Sequence, residues 1–495
     1  MTAIVLDTNS ASNSAGRTGG STRGVPEIAS DWRLRDLLVM AGIGLLLGIA
    51  RAEAAMDSDV LWSTRYGLDF LNSGHLHRSD IYSWTASGHA WIPSSWGWNV
   101  VLGLAYRGVG FLGLWLVGIA LAVALALTVG KMAARVGVDP SCLAMVFTIL
   151  GPIALVVAPR AQTATYLVIV WMLPLLPQVL CGNRSRFVAA FVAVCGLQLL
   201  WTNLHNSAPL GPVILVVGGA SLLLRPGQSR EPISGRWARL VALVAAATAC
   251  CFASPYGAAP ILHILAVRRA SVGLISEWDH PGVGNFAQIV GVIAVVGAVV
   301  TARLAWRAHR SDTAAVLLLL GLATLSAVRF APMVVVVALP ELALALGRLD
   351  VRPHMLRWIA AAGCATLAAL GVARAGSFAK LDAGLASPKL VSAVPHGCRL
   401  VNDYTIGAAL ILARPDVYVS IDGRNDMYGR ELVLSAIAML KDGPGTIARI
   451  DASGVNCVIA DSRYQLVRTL TADPKWRLVG SDGVRTLLVR KAIQP

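Results

Sequence analysis

Long apolar runs recur along the first three quarters of this sequence, and they constrain its fold more than any other feature. An α-helix needs about 20 mostly apolar residues to cross a hydrocarbon core of about 30 Å. Eleven segments approach or meet this length with few charges inside them. We therefore predict an α-helical polytopic membrane protein with about eleven transmembrane helices; the third and ninth spans are short, and a merged or re-entrant pair is the alternative there. The predicted spans are 36–55, 110–130, 141–158, 164–181, 187–202, 208–224, 240–254, 286–303, 312–327, 333–347 and 358–374.

The composition is that of a membrane protein. Of the 495 residues, 56% are hydrophobic and only 14% are charged, whereas soluble domains carry roughly 25% charged residues. The net charge of +15 could indicate a nucleic-acid-binding protein. In a polytopic protein, however, basic residues collect in cytoplasmic loops and set the orientation. We therefore predict a membrane-lipid environment and no nucleic-acid partner.

Basic residues also predict how the chain is oriented. Arg33 and Arg35 precede the first span, and arginine or lysine recurs in every second loop after it. The positive-inside rule makes these loops cytoplasmic, in a multi-pass protein of the plasma (inner) membrane. We predict three regions: a disordered cytoplasmic N-terminus at 1–32, a transmembrane domain at 33–375 with a large first external loop at 56–109, and a soluble extracytoplasmic domain at 376–495.

The composition changes near residue 376, where charged residues become frequent and apolar runs shorten to the length of strands. Short apolar runs bounded by turn residues are typical of buried strands. Strands and helices alternate here, which predicts a small α/β domain. The predicted strands are 399–402, 417–421, 455–460 and 486–490, and the predicted helices are 432–440 and 446–450.

Two cysteines, Cys398 and Cys457, fall in this exported domain. Disulfides form and persist outside the cytoplasm, so the two are candidates for one bond. A disulfide also needs the two Cα atoms within about 7 Å of each other, and the sequence alone does not give that separation.

Two aspartates at the end of the first span are the strongest candidates for catalysis. Asp57 and Asp59 open the first external loop and are followed by Trp62, Arg65 and Tyr66. A carboxylate in a half-desolvated groove has a raised pKa, which improves it as a general base. The pair could also bind a divalent cation such as Mg²⁺ or Mn²⁺ through oxygen, or be a solvated helix end. The spacing alone does not choose among these roles.

Two isolated arginines, Arg160 and Arg329, lie in loops predicted to be external. An arginine at this depth usually faces the protein interior and has a partner there. That partner is either one of the nearby acids or a phosphate, which a guanidinium binds through two parallel hydrogen bonds. Because a lipid-linked phosphate lies at this depth, both arginines are candidate phosphate ligands.

Other polar residues of the external loops carry a weaker functional signal. A lone histidine such as His205 is more often a packing residue than a ligand, and no regular metal-ligand spacing connects the candidates. Acid/base, metal or substrate-binding roles stay open for the group, which comprises Asn203, His205, Tyr256, Glu277, Trp278, Asp279 and His280.

A polar, turn-rich segment at 420–429 follows one predicted strand of the C-terminal domain. It contains Asp422, Arg424 and Tyr428. One interpretation is an ordinary strand-end turn that an Asp–Arg pair holds together. The other is a lid or acceptor contact beside the membrane site, in which case these three residues bind substrate.

Short motifs occur in a fixed order on the predicted external side, and together they resemble a known family. The order is similar to that of a bacterial family of polytopic membrane proteins described as glycosyltransferases. The layout also resembles the GT-C superfamily, which includes protein mannosyltransferases and aminoarabinose transferases. The motifs are DxDxxW at 57–62, SDIYSWT at 79–85, WxxxSW at 91–96, APRAQ at 158–162, WxNLH at 201–205, SPYG at 254–257, EW at 277–278, RFAP at 329–332 and DGRNDMYG at 422–429.

The resemblance implies a reaction and a role for each class of residue. GT-C enzymes use polyprenyl-phosphate sugars on the external face, and an acidic residue of the first external loop acts as base or orients the acceptor. That residue corresponds to Asp57 or Asp59. In an inverting displacement the base takes the acceptor proton while polyprenyl phosphate leaves. Arginines stabilise the leaving phosphate, a role that position assigns to Arg160 and Arg329, with His205 as a third candidate.

The predicted function is therefore transfer of a sugar from a polyprenyl-phosphate donor to a cell-envelope glycan, lipid or protein on the extracytoplasmic face. The alternatives are a transporter or flippase of lipid-linked sugar and a non-catalytic cell-envelope assembly protein. The sequence has no internal repeat of the kind many transporters show, and no nucleotide-binding glycine motif. Several GT-C enzymes have adjacent acids where Ser58 here separates the pair, so metal use stays undecided.

Overall fold

The computed structural model describes residues 32–155, 157–225, 232–349, 351–378, 387–441 and 445–491. Apart from Trp32, the N-terminus predicted to be disordered lies outside the described residues. Residues 379–386 also lie outside them, so the exact boundary predicted between the two domains stays a prediction.

Helices make up the described part of the chain before residue 379. Local signals start some of them: Asp139 accepts hydrogen bonds from the backbone N–H groups of Ser141 and Cys142, and Pro140 occupies the first helical position. A capping aspartate followed by proline is a strong start signal for a helix. The helices are α1 (Leu34–Ala50), α2 (Ser58–Ser73), α3 (Trp96–Val109), α4 (Phe111–Arg135), α5 (Pro140–Ala154), α6 (Ala161–Met172), α7 (Leu176–Cys181), α8 (Arg184–Leu204), α9 (Leu210–Leu223), α10 (Ile233–Cys250), α11 (Ala259–Ser271), α12 (Phe286–Arg307), α13 (Ser311–Ser326), α14 (Ala331–Leu346) and α15 (Pro353–Phe378).

Each of the eleven predicted spans coincides with a helix, or with the pair α6 and α7 in the fourth span. By length and composition, seven helical segments of the described part can cross a membrane, and α5, α9 and α13 are shorter apolar helices. The multi-pass membrane fold is therefore confirmed, while the count of eleven and the orientation of the termini stay predictions. The seven segments are Phe111–Arg135, Ala161–Cys181, Arg184–Leu204, Ile233–Cys250, Phe286–Arg307, Val328–Leu346 and Pro353–Arg374.

The first external loop of the prediction folds into two packed helices, α2 and α3, joined by residues 74–95. The helices cross at two glycines. A Cβ atom on Gly67 would lie 1.9 Å from the carbonyl oxygen of Asn99, and one on Gly103 would lie 2.6 Å from the carbonyl carbon of Gly67. This close approach holds α2, and with it Asp57 and Asp59, in a fixed position.

The C-terminal part is a small α/β domain, as predicted. Its mixed sheet has the strand order β1 (Leu400–Asn402), β2 (Cys457–Asp461), β4 (Arg485–Arg490), β3 (Trp476–Ser481). Strand β1 is parallel to β2, and the other pairs are antiparallel. The prediction of a strand at 417–421 is wrong, because this extended segment makes only isolated bridges, Arg399 with Tyr418 and Ser83 with Val419. The elements are α16 (Pro388–Ser392), β1 (Leu400–Asn402), α17 (Gly407–Ala413), α18 (Asn425–Leu440), α19 (Thr446–Ala452), β2 (Cys457–Asp461), α20 (Gln465–Ala472), β3 (Trp476–Ser481) and β4 (Arg485–Arg490).

The C-terminal domain packs directly on the helical part. Helix α17 contacts α2, and α18 contacts α11. The Trp84 side chain of the 74–95 loop donates a hydrogen bond to the carbonyl oxygen of Leu400 in β1 (2.8 Å). Within the domain, a disulfide joins Cys398 to Cys457, whose Cα atoms are 6.0 Å apart, so the bond considered from the sequence is present.

Candidate active site

A cavity of about 150 Å³ lies where several loops of the helical part meet the C-terminal domain. Its wall is rich in carboxylates, arginines and hydroxyl groups. Residues at the ends of six helices and at the start of α18 contribute to it, so the fold brings together groups that are far apart in the sequence. The polar lining residues are Asp59, Ser63, Ser94, Ser95, Arg160, Gln162, His205, Asn206, Ser271, Glu277, Arg329, Asn425 and Asp426.

Arg160 is the centre of the charged network. Its Nη2 atom lies 2.5 Å from Oδ2 of Asp59, and its Nη1 atom lies 2.9 Å from Oε1 of Glu277. Oδ2 of Asp57 is farther away, at 3.8 Å from Nη1. The sequence offered an acid or a phosphate as the partner of Arg160, and in the structure the partners are acids.

Asp57 and Asp59 have different surroundings although one residue separates them. Asp57 is the N-cap of α2, and its Oδ1 atom accepts a hydrogen bond from the backbone N–H of Asp59 (2.9 Å). Asp59 lies in the first turn, lines the cavity, and accepts a hydrogen bond from Nε1 of Trp62 (3.3 Å). Burial raises the pKa of Asp57, and the nearby Asp59 raises it further against the opposing effect of Arg160. Asp59 is therefore the carboxylate that a bound substrate would meet.

Glu277 follows α11 in a short 3₁₀ turn at Ser276–Trp278 and forms the second carboxylate contact of Arg160. Burial works to raise its pKa, but Arg160 and Arg329 outweigh burial, and the net result is a lowered pKa. Glu277 is therefore ionised at neutral pH. Its role as a fixed counter-charge to both arginines follows from this position.

Arg329 faces the same cavity from the turn before α14. Its guanidinium carbon lies 4.0 Å from the ring centre of Trp278, a cation–π contact. No carboxylate lies within 4.0 Å of this guanidinium among the residues that the structure describes. A second, apolar cavity of about 110 Å³ adjoins Arg329, between the ends of α5, α12 and α14. The guanidinium thus stands between a polar and an apolar space.

His205 lies at the end of α8 and is almost completely buried. Burial, with help from Arg329 and Arg160, lowers its pKa to about 3, so the ring is neutral. Its Nδ1 atom accepts a hydrogen bond from the backbone N–H of Ser207 (3.3 Å) and lies 2.6 Å from the Ser207 hydroxyl. Because Nδ1 accepts, the ring proton is on Nε2. His205 can therefore donate a hydrogen bond to a ligand, but it supplies no positive charge.

Four of the residues singled out in the external loops do not line the cavity. They serve instead to hold the loops together. Asn203 accepts a hydrogen bond from Nε1 of Trp96 (2.8 Å), and the Tyr256 hydroxyl pairs with that of Tyr66 (2.8 Å). Asp279 accepts from the backbone N–H of Gly273 at 3.3 Å, and the His280 ring lies 2.9 Å from the carbonyl oxygen of Leu325.

Asp422, Arg424 and Tyr428 form a buried cluster rather than a cavity wall. Arg424 is 0% exposed and binds both oxygens of Asp422 and, at 2.6 Å, Oδ1 of Asp80 in the 74–95 loop. The Tyr428 hydroxyl donates to Asp422 (2.7 Å). With every charged atom paired inside the protein, these three residues correspond to the turn held by an Asp–Arg pair. The residues of this segment that line the cavity are instead their neighbours.

Those neighbours were not singled out from the sequence. Gly423, Asn425 and Asp426 line the cavity, and Asp426 lies 3.0 Å from Nε2 of His263 on α11. A Cβ atom on Gly423 would lie 3.4 Å from Oδ1 of Asp59, so this segment covers the carboxylate. The DGRNDMYG motif pointed to the right segment, but no local signal distinguishes its buried residues from its exposed ones, and none identifies His263.

The positions of the carboxylates around Arg160 also indicate how well this site would bind a divalent cation. Asp57, Asp59 and Glu277 surround the Arg160 guanidinium, which already occupies the position where a cation would neutralise them. Within the described ranges, no group of three or more His, Cys, Asp or Glu residues is placed to hold a metal ion. The residues fit a resident metal poorly, and the mechanism below uses none.

Comparison with known proteins gives a structural match only. No protein-family model matches the sequence, and a search of curated proteins finds no match. The crystal structure of ArnT from Cupriavidus metallidurans bound to undecaprenyl phosphate is similar over 92% of this chain and 99% of that chain, with a TM-score of 0.56 and 14% identity. The apo oligosaccharyltransferase of Archaeoglobus fulgidus is similar over 87% of this chain and 69% of that chain, with a TM-score of 0.53 and 11% identity. The resemblance drawn from the motifs is thus confirmed for the fold alone: the chain shares its overall architecture with ArnT and with the archaeal oligosaccharyltransferase.

Proposed function

We propose that this protein is a glycosyltransferase that moves a sugar from a polyprenyl-phosphate donor to a cell-envelope acceptor on the extracytoplasmic face of the plasma membrane. One observation carries the proposal: Arg160 and Arg329 face one cavity together with Asp59, beside an apolar space between helices. That combination offers phosphate binding, proton removal and room for a lipid. The ligand of ArnT, undecaprenyl phosphate, is a polyprenyl phosphate, the class of carrier that leaves in the reaction proposed here.

The donor phosphate is expected between the two arginines. Arg329 has a guanidinium without a carboxylate contact among the described residues, so it can bind phosphate without breaking an existing ion pair. The isoprenoid chain would extend past Arg329 into the apolar cavity, which Ile153, Val290 and Pro332 help to line. Nε2–H of neutral His205 supplies a further donor to a phosphate oxygen.

Asp59 is the proposed base. A phosphate that enters beside Arg160 competes with Asp59 for the guanidinium, and loss of that ion pair makes the carboxylate more basic. The acceptor oxygen then attacks the anomeric carbon from the side opposite the phosphate, which inverts the configuration. The carbon–oxygen bond to phosphate breaks, the acceptor proton passes to Asp59, and the arginines stabilise the negative charge of polyprenyl phosphate.

The acceptor is expected on the side of the C-terminal domain. Asp426 and Asn425 at the start of α18 face Asp59 across the cavity, and His263 orients the Asp426 carboxylate. Carboxylate and amide groups suit the hydroxyl or amino groups of a glycan, lipid or peptide. Which of these acceptors is used is a question for substrate panels.

The proposal is tested by sugar transfer in proteoliposomes from a panel of radiolabelled polyprenyl-phosphate sugars, with native envelope extract as acceptor. We expect transfer from at least one donor. Asp59→Asn should lower kcat by about 100-fold or more, since positioned general bases contribute roughly 10²–10⁴-fold. Asp279→Asn is the matched control, because Asp279 lies nearby but outside the cavity wall.

Two results would contradict the proposal. One is full activity of Asp59→Asn in folded protein. The other is absence of transfer from every donor while the protein binds polyprenyl phosphate and moves it between leaflets, a result that would favour the flippase alternative. An assembly role would instead leave both transfer and lipid movement absent, with function lost only when the C-terminal domain is removed.

A further inference from the structure

A separate cleft of about 840 Å³ lies at the other end of the helix bundle, between α1, α5 and α15. Helices α1 and α15 touch near the candidate active site, where a Cβ atom on Gly371 would lie 2.8 Å from Ile49 and Arg374 donates a hydrogen bond to the carbonyl oxygen of Ala50. Toward their N-terminal ends the two helices separate. The cleft shows this separation, since it is lined only by the first halves of both helices and by the start of α5. The result is a wedge that opens away from the site.

The cleft is divided by polarity along its depth. Its mouth carries three arginines, Arg33, Arg35 and Arg357, and two aspartates. Its deeper walls are apolar and include Met40 and Ile43 of α1. A charged mouth above an apolar interior, at the depth of a membrane surface, matches the two parts of a phospholipid.

The two aspartates of the mouth are already engaged. Asp36 accepts a hydrogen bond from the backbone N–H of Arg33 (2.8 Å) and pairs with Arg35 (3.3 Å). Asp139 caps α5. Among the described residues, no carboxylate lies within 4.0 Å of Arg33 or Arg357, and Arg357 has only the Ser141 hydroxyl at 3.4 Å. Two guanidinium groups therefore remain for an external anion.

The mouth is also held in place by the fold. The Trp32 indole donates a hydrogen bond to the carbonyl oxygen of Val138 (2.7 Å), which ties the start of α1 to the loop before α5. The first turns of α1 and α5 border the cleft, and the N-terminal ends of helices carry partial positive charge. Both features favour a negative group between Arg33 and Arg357.

We propose that this cleft binds one anionic phospholipid, with its phosphate between Arg33 and Arg357 and an acyl chain between α1 and α15. The positive-inside rule places this end in the cytoplasmic leaflet, where anionic lipids attract basic residues. The lipid would fill the wedge that the diverging helices leave. The site is separate from the candidate active site and does not depend on the proposed reaction.

The test uses the full-length protein in nanodiscs made from equal amounts of phosphatidylglycerol and phosphatidylcholine. After transfer to mild detergent, the lipid that stays bound is counted by mass spectrometry. We expect about one phosphatidylglycerol per chain and an enrichment over phosphatidylcholine that falls by roughly 25-fold in Arg33→Gln/Arg357→Gln, or about fivefold for each arginine. Arg184→Gln/Arg186→Gln is the matched control, because it removes the same charge from exposed positions of the same end.

A second variant, Ala361→Trp, fills the apolar wall from an exposed position and should lower lipid retention without removing charge. Retention in the ratio of the disc lipids, or equal retention in the double variant and its control, would overturn the proposal. So would bound lipid that appears only when residues 1–31 are deleted, because the chain's own N-terminal segment would then be the occupant.

Discussion

At the scale of single residues, the chemistry of the candidate site depends on small differences in environment. Asp57 and Asp59 are the same residue type at nearly the same position, yet one caps a helix and the other faces the cavity. The reason is that α2 begins between them, so their side chains leave the backbone in different directions. Catalytic and structural roles of these carboxylates can therefore be separated by experiment.

Asp57 is expected to affect stability more than catalysis. In the folded protein its pKa is raised above the ordinary value of 3.8, mainly by burial. Ionisation of Asp57 therefore destabilises the fold as the pH rises from 3.8 through the raised pKa. Asn caps a helix as well as Asp does and carries no charge. Asp57→Asn should therefore unfold at the wild-type temperature or above it at pH 7, and the difference should shrink toward pH 4.

The control for this prediction is Asp57→Ala, which loses the cap and should cost about 1 kcal/mol of stability. Thermal unfolding followed by tryptophan fluorescence in detergent measures both variants. An Asp57→Asn protein as unstable as Asp57→Ala at pH 7 would show that the charge, and not the cap, holds the helix end.

Metal removal is expected to leave activity intact. Arg160 lies among the three carboxylates, so a guanidinium already occupies the position that a bridging cation would take. The wild-type protein should transfer sugar in EDTA with an unchanged kcat, whereas the Arg160→Ala variant should transfer none. Activity lost in EDTA and restored by Mg²⁺ or Mn²⁺ would instead mean that substrate binding assembles a cation site around Asp57 and Asp59.

At the scale of elements, the position of α2 decides where Asp59, the proposed base, lies. The helix is held from one side by α3, through the contact of Gly67 with Asn99, and from another by α17 of the C-terminal domain. Gly423 covers the Asp59 side chain from the same domain. The site is therefore assembled by helix packing, and a shift of α2 is expected to misplace Asp59.

Gly67→Ala tests this dependence. Its new methyl group would lie 1.9 Å from a backbone oxygen of α3, so the two helices must separate. Overpacking of this kind typically costs about 1–3 kcal/mol, and we expect a lower unfolding temperature together with a large loss of kcat. Gly42→Ala on α1, which meets nothing within 4 Å, is the control and should keep both. Unchanged activity in Gly67→Ala would mean that α2 is not the element that positions the base.

At the scale of the whole molecule, the C-terminal domain and the 74–95 loop form one unit around a buried ion cluster. Arg424 binds Asp422 of its own domain and Asp80 of the loop, and all three charged groups are buried. Aromatic rings of Tyr82, Trp91 and Tyr428 surround the guanidinium. The cluster thus links the part of the chain that carries Asp59 with the part that covers it.

Asp80→Asn should weaken this link. The substitution removes one of the two carboxylates that bind Arg424 and leaves the pair with Asp422, and the loss of a hydrogen bond to a charged group costs about 1.5–3 kcal/mol. We expect a lower unfolding temperature and faster proteolytic cleavage within residues 74–95. Asp461→Asn breaks a pair with the exposed Arg463 and should change neither. Equal behaviour of the two variants would show that the domain is held on the helical part by other contacts.

Much of the architecture followed from the sequence, because its signals are local. The length and spacing of the apolar runs predicted where the helices lie, and the alternation of short strands and helices predicted the α/β domain. Membrane insertion and strand burial depend on the hydrophobicity of about 5 to 20 consecutive residues, which is visible without any neighbour. The acidic and arginine motifs pointed to loops that meet at the candidate site, and Asp59, Arg160 and Arg329 line its cavity.

Which side chains meet was decided only by the tertiary structure. Arg160 finds Asp59 and Glu277 across 101 and 117 positions of sequence, and the burial of Asp422, Arg424 and Tyr428 depends on Asp80 from a distant loop. His263 beside Asp426, and the wedge between α1 and α15, likewise exist only once the helices pack. The sequence by itself determined which residues are available to this site. Which of them face the cavity was determined by the packing alone, because ion pairs and cavities form between segments whose separation in space no local pattern encodes.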